Sequence, residues 1–166
     1  IGDDEAQFVS RRGGSPHFGP EDRIYANERA SSAVGRGSDD ASTELISMNH
    51  DGEDVRTHAS SPLATVIRMS PVGKHLGYRE AGRLYVAALP MTGRSIDLSA
   101  IPNNASGPAA FATERVSAPG GEFIHWNADG TSLAWSVGPR FFQYSVDGSL
   151  GTGTNEARQI ADLSLS

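Results

Sequence analysis

Apolar and polar residues alternate with a period of two along much of this chain, most regularly over residues 120–148. Leu133, Trp135 and Val137 fall on one side, with Ala134 and Ser136 on the other. Phe142, Tyr144 and Val146 share a face. Successive side chains of a strand point to opposite sides of its sheet, so the pattern predicts short antiparallel strands over 123–126, 133–137 and 141–146. Asn127-Ala128-Asp129-Gly130 supplies the first turn: Asp bonds its own backbone, and Gly accepts the positive φ that closes such a loop. Nowhere do apolar residues recur with a helical period over three turns, so little helix is expected.

The same reading extends along the chain. Strands are expected over 6–10, 23–27 and 43–48, with a return over 53–58. Residues 11–14, 15–22 and 49–52 have turn chemistry, and 28–42 reads as a long mobile loop without a core-forming pattern. Strands follow over 65–69, 76–79 and 84–89, separated by turns at 70–73, 80–82 and 90–93. Residues 95–98 are expected to return along the sheet. Residues 100–112 read as a second weakly patterned loop, 114–117 as a strand candidate, and 149–156 as a flexible polar run. Residues 157–163 close the last unit or begin a linker.

Three segments match one another. Met69 to Tyr78 aligns with Trp126 to Trp135, and Phe18 to Tyr25, two residues shorter, joins them with a deletion in its turn; the starts lie 51 and 57 residues apart. His17 and His125 occupy equivalent places, each just before an aromatic residue. A period of this size with about four strands per unit is the mark of propeller blades. A four-stranded sheet cannot bury both faces alone, so it stacks on its neighbours, here through Ile24, Tyr25, Leu76, Tyr78, Leu133 and Trp135. The expectation is an all-β fold, a partial β-propeller of about three four-stranded blades. They span about 15–60, 64–117 and 120–163, with an orphan outer strand at 6–10, in a domain over 1–150; 151–166 then holds the last outer strand and a linker. A β-sandwich with coincidentally similar turns is the competing architecture.

RMSPVGKHLGYREAGRLYVAALPMTG and GGEFIHWNADGTSLAWSVGPRFFQYSVDG resemble the repeat of TolB-like, WD-type propellers. That repeat runs aromatic-Ser-Pro-Asp-Gly-x-x-aliphatic-x-aromatic into a strand ending in Asp-Gly or Thr-Gly. The chain departs from it at Val72 and at Asn127-Ala128, and the Glu21-Asp22 copy lacks the Gly. More narrowly, both stretches are similar to the propeller region preceding the barrel of bacterial amidohydrolase-family proteins. The resemblance covers about residues 8–148. It implies a parent hydrolase acting on C–N bonds, with any divalent metal held in a barrel outside this chain.

Composition narrows the chemistry. The 166 residues carry 19 Gly and 9 Pro, which suits a turn-rich all-β domain. A net charge of −6 without a basic stripe argues against nucleic acid; Arg11-Arg12, the one basic pair, reads as a solvated loop. Cysteine is absent, which removes disulfides and thiolate chemistry. No apolar run approaches the ~20 residues that span a bilayer. The opening IGDDEAQF lacks both an initiator Met and a signal pattern, and suggests a mature form or a fragment of a periplasmic or secreted protein.

No catalytic, cofactor-binding or metal-binding residue is assigned. Among His17, His50, His58, His75 and His125 no two are two apart, so the His-x-His of an amidohydrolase barrel is missing. Asp22, Asp51, Asp129 and Asp147 read as turn residues. No Gly-x-Ser-x-Gly elbow occurs, and Gly35-x-Gly37 lacks the strand-turn-helix setting of a phosphate loop. Trp126, Trp135, Phe141, Phe142 and Tyr144 read as core.

Three blades cannot close a ring, and known propellers need at least about four. The expected partners are therefore further blades, a catalytic domain of the same protein, or a second copy. The first functional expectation is a non-catalytic, structural or access-restricting segment of an amidohydrolase-like hydrolase. The alternative is a TolB-like module that binds protein or peptide at its axis without enzymatic role.

Overall fold

The computed structural model describes residues 8–30, 41–89, 93–98, 112–117, 120–146, 150 and 156–164. These fold entirely as strands and turns, apart from one 3-10 turn at Pro20–Asp22. The all-β expectation is borne out. Among the described residues thirteen strands build three sheets. In the first, β1 (Gly14–Gly19), β2 (Arg23–Ala30), β3 (Ser42–Met48) and β4 (Arg56–Ser61) run as an antiparallel meander. In the second, β5 (Ala64–Met69), β6 (His75–Glu80) and β7 (Arg83–Ala88) are followed by β9 (Thr113–Arg115). The third is β10 (Glu122–Trp126), β11 (Ser132–Val137), β12 (Arg140–Ser145) and β13 (Arg158–Asp162).

Turn chemistry sets these registers. Asn127 closes the β10–β11 turn: its carbonyl accepts from Gly130 N–H (3.0 Å) and its side-chain oxygen from Ser132 N–H (2.8 Å). Ser70 does the same for β5–β6, accepting from Gly73 N–H at its carbonyl and from His75 N–H at its hydroxyl. Gly73 and Gly130 both hold φ near +70°, where a Cβ is strained. In the first sheet the matching turn has no glycine, and Glu21 and Asp22 take positive φ themselves. The first strand of each sheet is bulged, with positive φ at Ser15 in β1 and Phe123 in β10.

Partners across an antiparallel ladder lie on one face, so the registers give the structural repeat. Phe18, Met69 and Trp126 pair with Ile24, Leu76 and Leu133. Those pair in turn with Met48, Ala87 and Tyr144. Two shared cores follow. Tyr25, Leu45 and Ala59 of the first sheet meet Ile67, Met69, Leu76 and Tyr78 of the second. Leu84 and Val86 of the second meet Ile124, Trp126, Leu133, Trp135 and Tyr144 of the third. The second and third sheets therefore present the same positions to the sheet before them.

Several expectations are corrected. β1 lies inside the stretch read as a turn, because its bulge lets Gly and Pro sit in an edge strand. Residues 8–10 form no strand; Val9 instead packs, as Ile24 does, on Ala26, Ile46 and Met48. Ala6 and Gln7 lie outside the described residues, as do Asp147, Gly35 and Gly37. Residues 28–30 and 42, read as loop, belong to β2 and β3, and 31–40 lie outside the described residues. Residues 96–97 do not return along the second sheet: β8 (Ile96–Asp97) adds in parallel to β4 of the first. Tyr25 is buried, but its ladder partner His17 places it level with Gly77 and Ala134, while Ala26 stands where Tyr78 and Trp135 do. Phe141 lies on the opposite face of β12 from Phe142 and is 37% exposed, not core. Arg11 and Arg12 lie exposed in a bend, as expected, and the Arg12 guanidinium forks onto Glu28 at 3.0 and 2.6 Å.

Candidate functional site

The first strands of the three sheets meet along one side of the molecule, β5 touching both β1 and β10. Between them opens a cavity of about 490 Å³ lined by Pro16, His17, Phe18, Gly19, Arg68, Met69, Pro71, His125, Trp126 and Ala128. None of these residues is acidic. Register explains the convergence. His17, Arg68 and His125 pair with Tyr25, Gly77 and Ala134, so they are one repeat position on three successive sheets.

Each of the three is held differently. His17 Nε2 accepts from Met69 N–H at 3.1 Å, which requires an unprotonated nitrogen there and leaves Nδ1 facing Ser15 O at 3.5 Å. Burial, reinforced by the nearby Arg68 and His125, pushes its pKa down to about 4. Arg68 Nη1 donates to Ser15 O and Pro16 O at 3.0 and 3.2 Å. Its Nε is buried with no partner, and no carboxylate lies in ion-pair range of it among the described residues. Burial lowers its pKa too. His125 is exposed at the rim.

The first two sheets are joined here by side chains that satisfy an otherwise bare strand edge. Asn27 Nδ2 donates to Ile67 O at 2.8 Å while its Oδ1 accepts from Ile67 N–H at 2.6 Å. Thr43 donates to Ala64 O at 2.6 Å. With His17, these groups take up the edge of β5 that β6 leaves free.

The remaining candidates are structural. His58 Nε2 lies 2.7 Å from Ser47 Oγ, the spacing of a nucleophile and its base. Ser47 is fully buried, however, and its oxygen accepts from Arg23 Nε at 2.8 Å. Asp54 bonds Arg23 and Arg56, not His58. The cluster satisfies the buried charge of Arg23 and offers no accessible nucleophile. His50 holds the Asp22 carbonyl at 2.8 Å, and His75 stacks on Trp126. Asp51 and Asp129 sit in their turns, Asp129 accepting from Thr131 N–H. Among the described residues no three His, Cys, Asp or Glu side chains gather where a metal ion would be held. No helix of the described residues is long and apolar enough to cross a membrane.

Sequence reasoning missed Arg68. The signal was present in the repeat, where it stands before Met69 as His17 and His125 stand before Phe18 and Trp126. No family model, curated protein or solved structure matches this chain.

Proposed function

We propose that the three sheets are consecutive blades of an incomplete β-propeller with TolB-like repeats, and that the chain works as a non-catalytic structural and interaction module. The observation that carries this reading is the polarity of stacking. The second and third sheets cover Met69 and Trp126, 2% and 4% exposed, against the sheet before them. No sheet among the described residues covers the equivalent Phe18, which is 71% exposed. Beside it a cavity of about 520 Å³ remains between residues 8–13 and the face of Ile24, Ala26 and Met48. Among the described residues β5 touches β3 most extensively, then β2 and β1 of the first sheet, and β10 of the third, which supports sheets packed face to face in succession, whereas the fourth strands β4, β9 and β13 are not in comparable contact with one another.

A blade contributed by a second copy or by further chain of the same protein would bury Phe18 as Met69 is buried. The hydrolase setting that the repeat resemblance implies adds one expectation, that any chemistry on C–N bonds belongs to a domain outside these residues.

Sedimentation velocity of the full chain tests the open face. The wild type is expected to associate with rising concentration. Phe18→Asp is expected to weaken that association by about tenfold or more, the worth of burying one large apolar side chain, without lowering the melting temperature. A wild type that stays a stable monomer at every concentration contradicts the reading.

A further inference from the structure

Arg12, Arg23, Arg56 and Arg140 each meet a carboxylate. Among the described residues Arg68 meets only backbone carbonyls, in a cavity whose described lining holds no acidic residue. A guanidinium offers five donors in a planar fork, and two carbonyls on Nη1 leave most of that fork unused. Half-buried cations without a counter-ion are costly, and an anion from outside would offset that cost. The walls are Pro16, Phe18 and Pro71, with His125 at the rim, so apolar surface flanks the charge. A single cation beside two carbonyl oxygens suits one negative charge, and a net charge of −6 opposes a polyanion.

We propose that the cavity between the first strands of the three sheets binds a carboxylate carried on a peptide, with Arg68 as its partner and Phe18 and the two prolines taking the neighbouring apolar side chain. The site goes beyond the blade reading and does not rest on it, because every residue named belongs to this chain whether or not a ring closes. His17 has another task, since its Nε2 is committed to Met69 N–H.

The test is an NMR titration of the full chain, following the Arg68 Nε–Hε resonance and the His125 ring. Three blocked dipeptides serve as probes: N-acetyl-Phe-Glu amide, N-acetyl-Phe-Gly free acid, and the neutral N-acetyl-Phe-Gly amide. Inorganic phosphate is the fourth. Both acids or one of them should shift Arg68; which one does so distinguishes a side-chain from a C-terminal carboxylate. The neutral amide should bind at least about tenfold more weakly, as expected when a charge-assisted fork is lost. Arg68→Lys, which keeps the charge and one bond to the Ser15 and Pro16 carbonyls, should weaken the acid several-fold, and Arg68→Gln by about tenfold or more. If Arg68→Gln fails to fold, the wild-type and Arg68→Lys titrations decide alone. Equal binding of acid and amide, a response to phosphate only, or no response to any probe each overturns the proposal.

Discussion

Residue by residue, the most informative side chain is His17. The sequence placed it only at a repeat position beside an aromatic, and the contact that holds it reaches to Met69 of the next sheet. Protonating Nε2 removes that bond. The folded pKa of about 4 lies below the ordinary value of 6.5, so the unfolded chain binds the proton more readily. Stability from this group is complete above pH 6.5 and is lost as the pH falls from 6.5 towards 4. His58 and His75 are shifted down by burial as well and add to the same slope. Urea titrations between pH 7 and 4.5 should show this fall, and His17→Gln, whose amide oxygen can still accept from Met69 N–H, should flatten it most. An unchanged slope in that variant would show that His17 is not the sensor. The shift was invisible in the sequence because it depends on what covers the ring.

At the scale of elements, alternation and turn residues made most of the strands legible. Leu133-Ala134-Trp135 and Leu84-Tyr85-Val86 have the period of two that a sheet buried on one or both faces requires, and β11 and β7 lie where that period placed them. The failures have a common physical cause. β1, with its Gly, Pro and bulge, lacks a hydrophobic period, because an edge strand needs few packed side chains. β8 is held by a long-range parallel pairing with β4 that no local pattern reports. The junction of the first two sheets rests on Asn27, a residue that reads as an ordinary polar strand position. Its amide replaces a missing strand for Ile67. Asn27→Ala leaves the buried Ile67 N–H and C=O without partners and should cost about 1–3 kcal/mol. Equilibrium unfolding measures it; a change below about 0.5 kcal/mol would show that water or backbone replaces the bonds.

For the whole molecule, the repeat in the sequence and the repeat in the ladder agree at Leu76 and Leu133 and part at Tyr25. Matching Tyr25 to Tyr78 needs two deletions, but the turn of the first copy is shorter by only one residue, so Tyr25 falls one position short and on the other face. Ile24 and Ala26, not Tyr25, therefore carry the face that Leu76 and Tyr78 carry in the next sheet. The candidate site was legible only as a repeat position; that three such positions converge on one cavity depends on how the sheets are disposed in space.

That disposition is the central claim, and distances between spin labels test it most directly. Labels on the first strands go at Gly14, where a side chain meets open space, at Thr65 and at Glu122; labels on the fourth strands go at Thr57, Arg115 and Gln159. Blades that radiate from a shared inner edge predict that 57–115 and 115–159 are each clearly longer than 14–65 and 65–122. Inner and outer separations of equal length would mean sheets stacked in parallel layers, and would contradict the account.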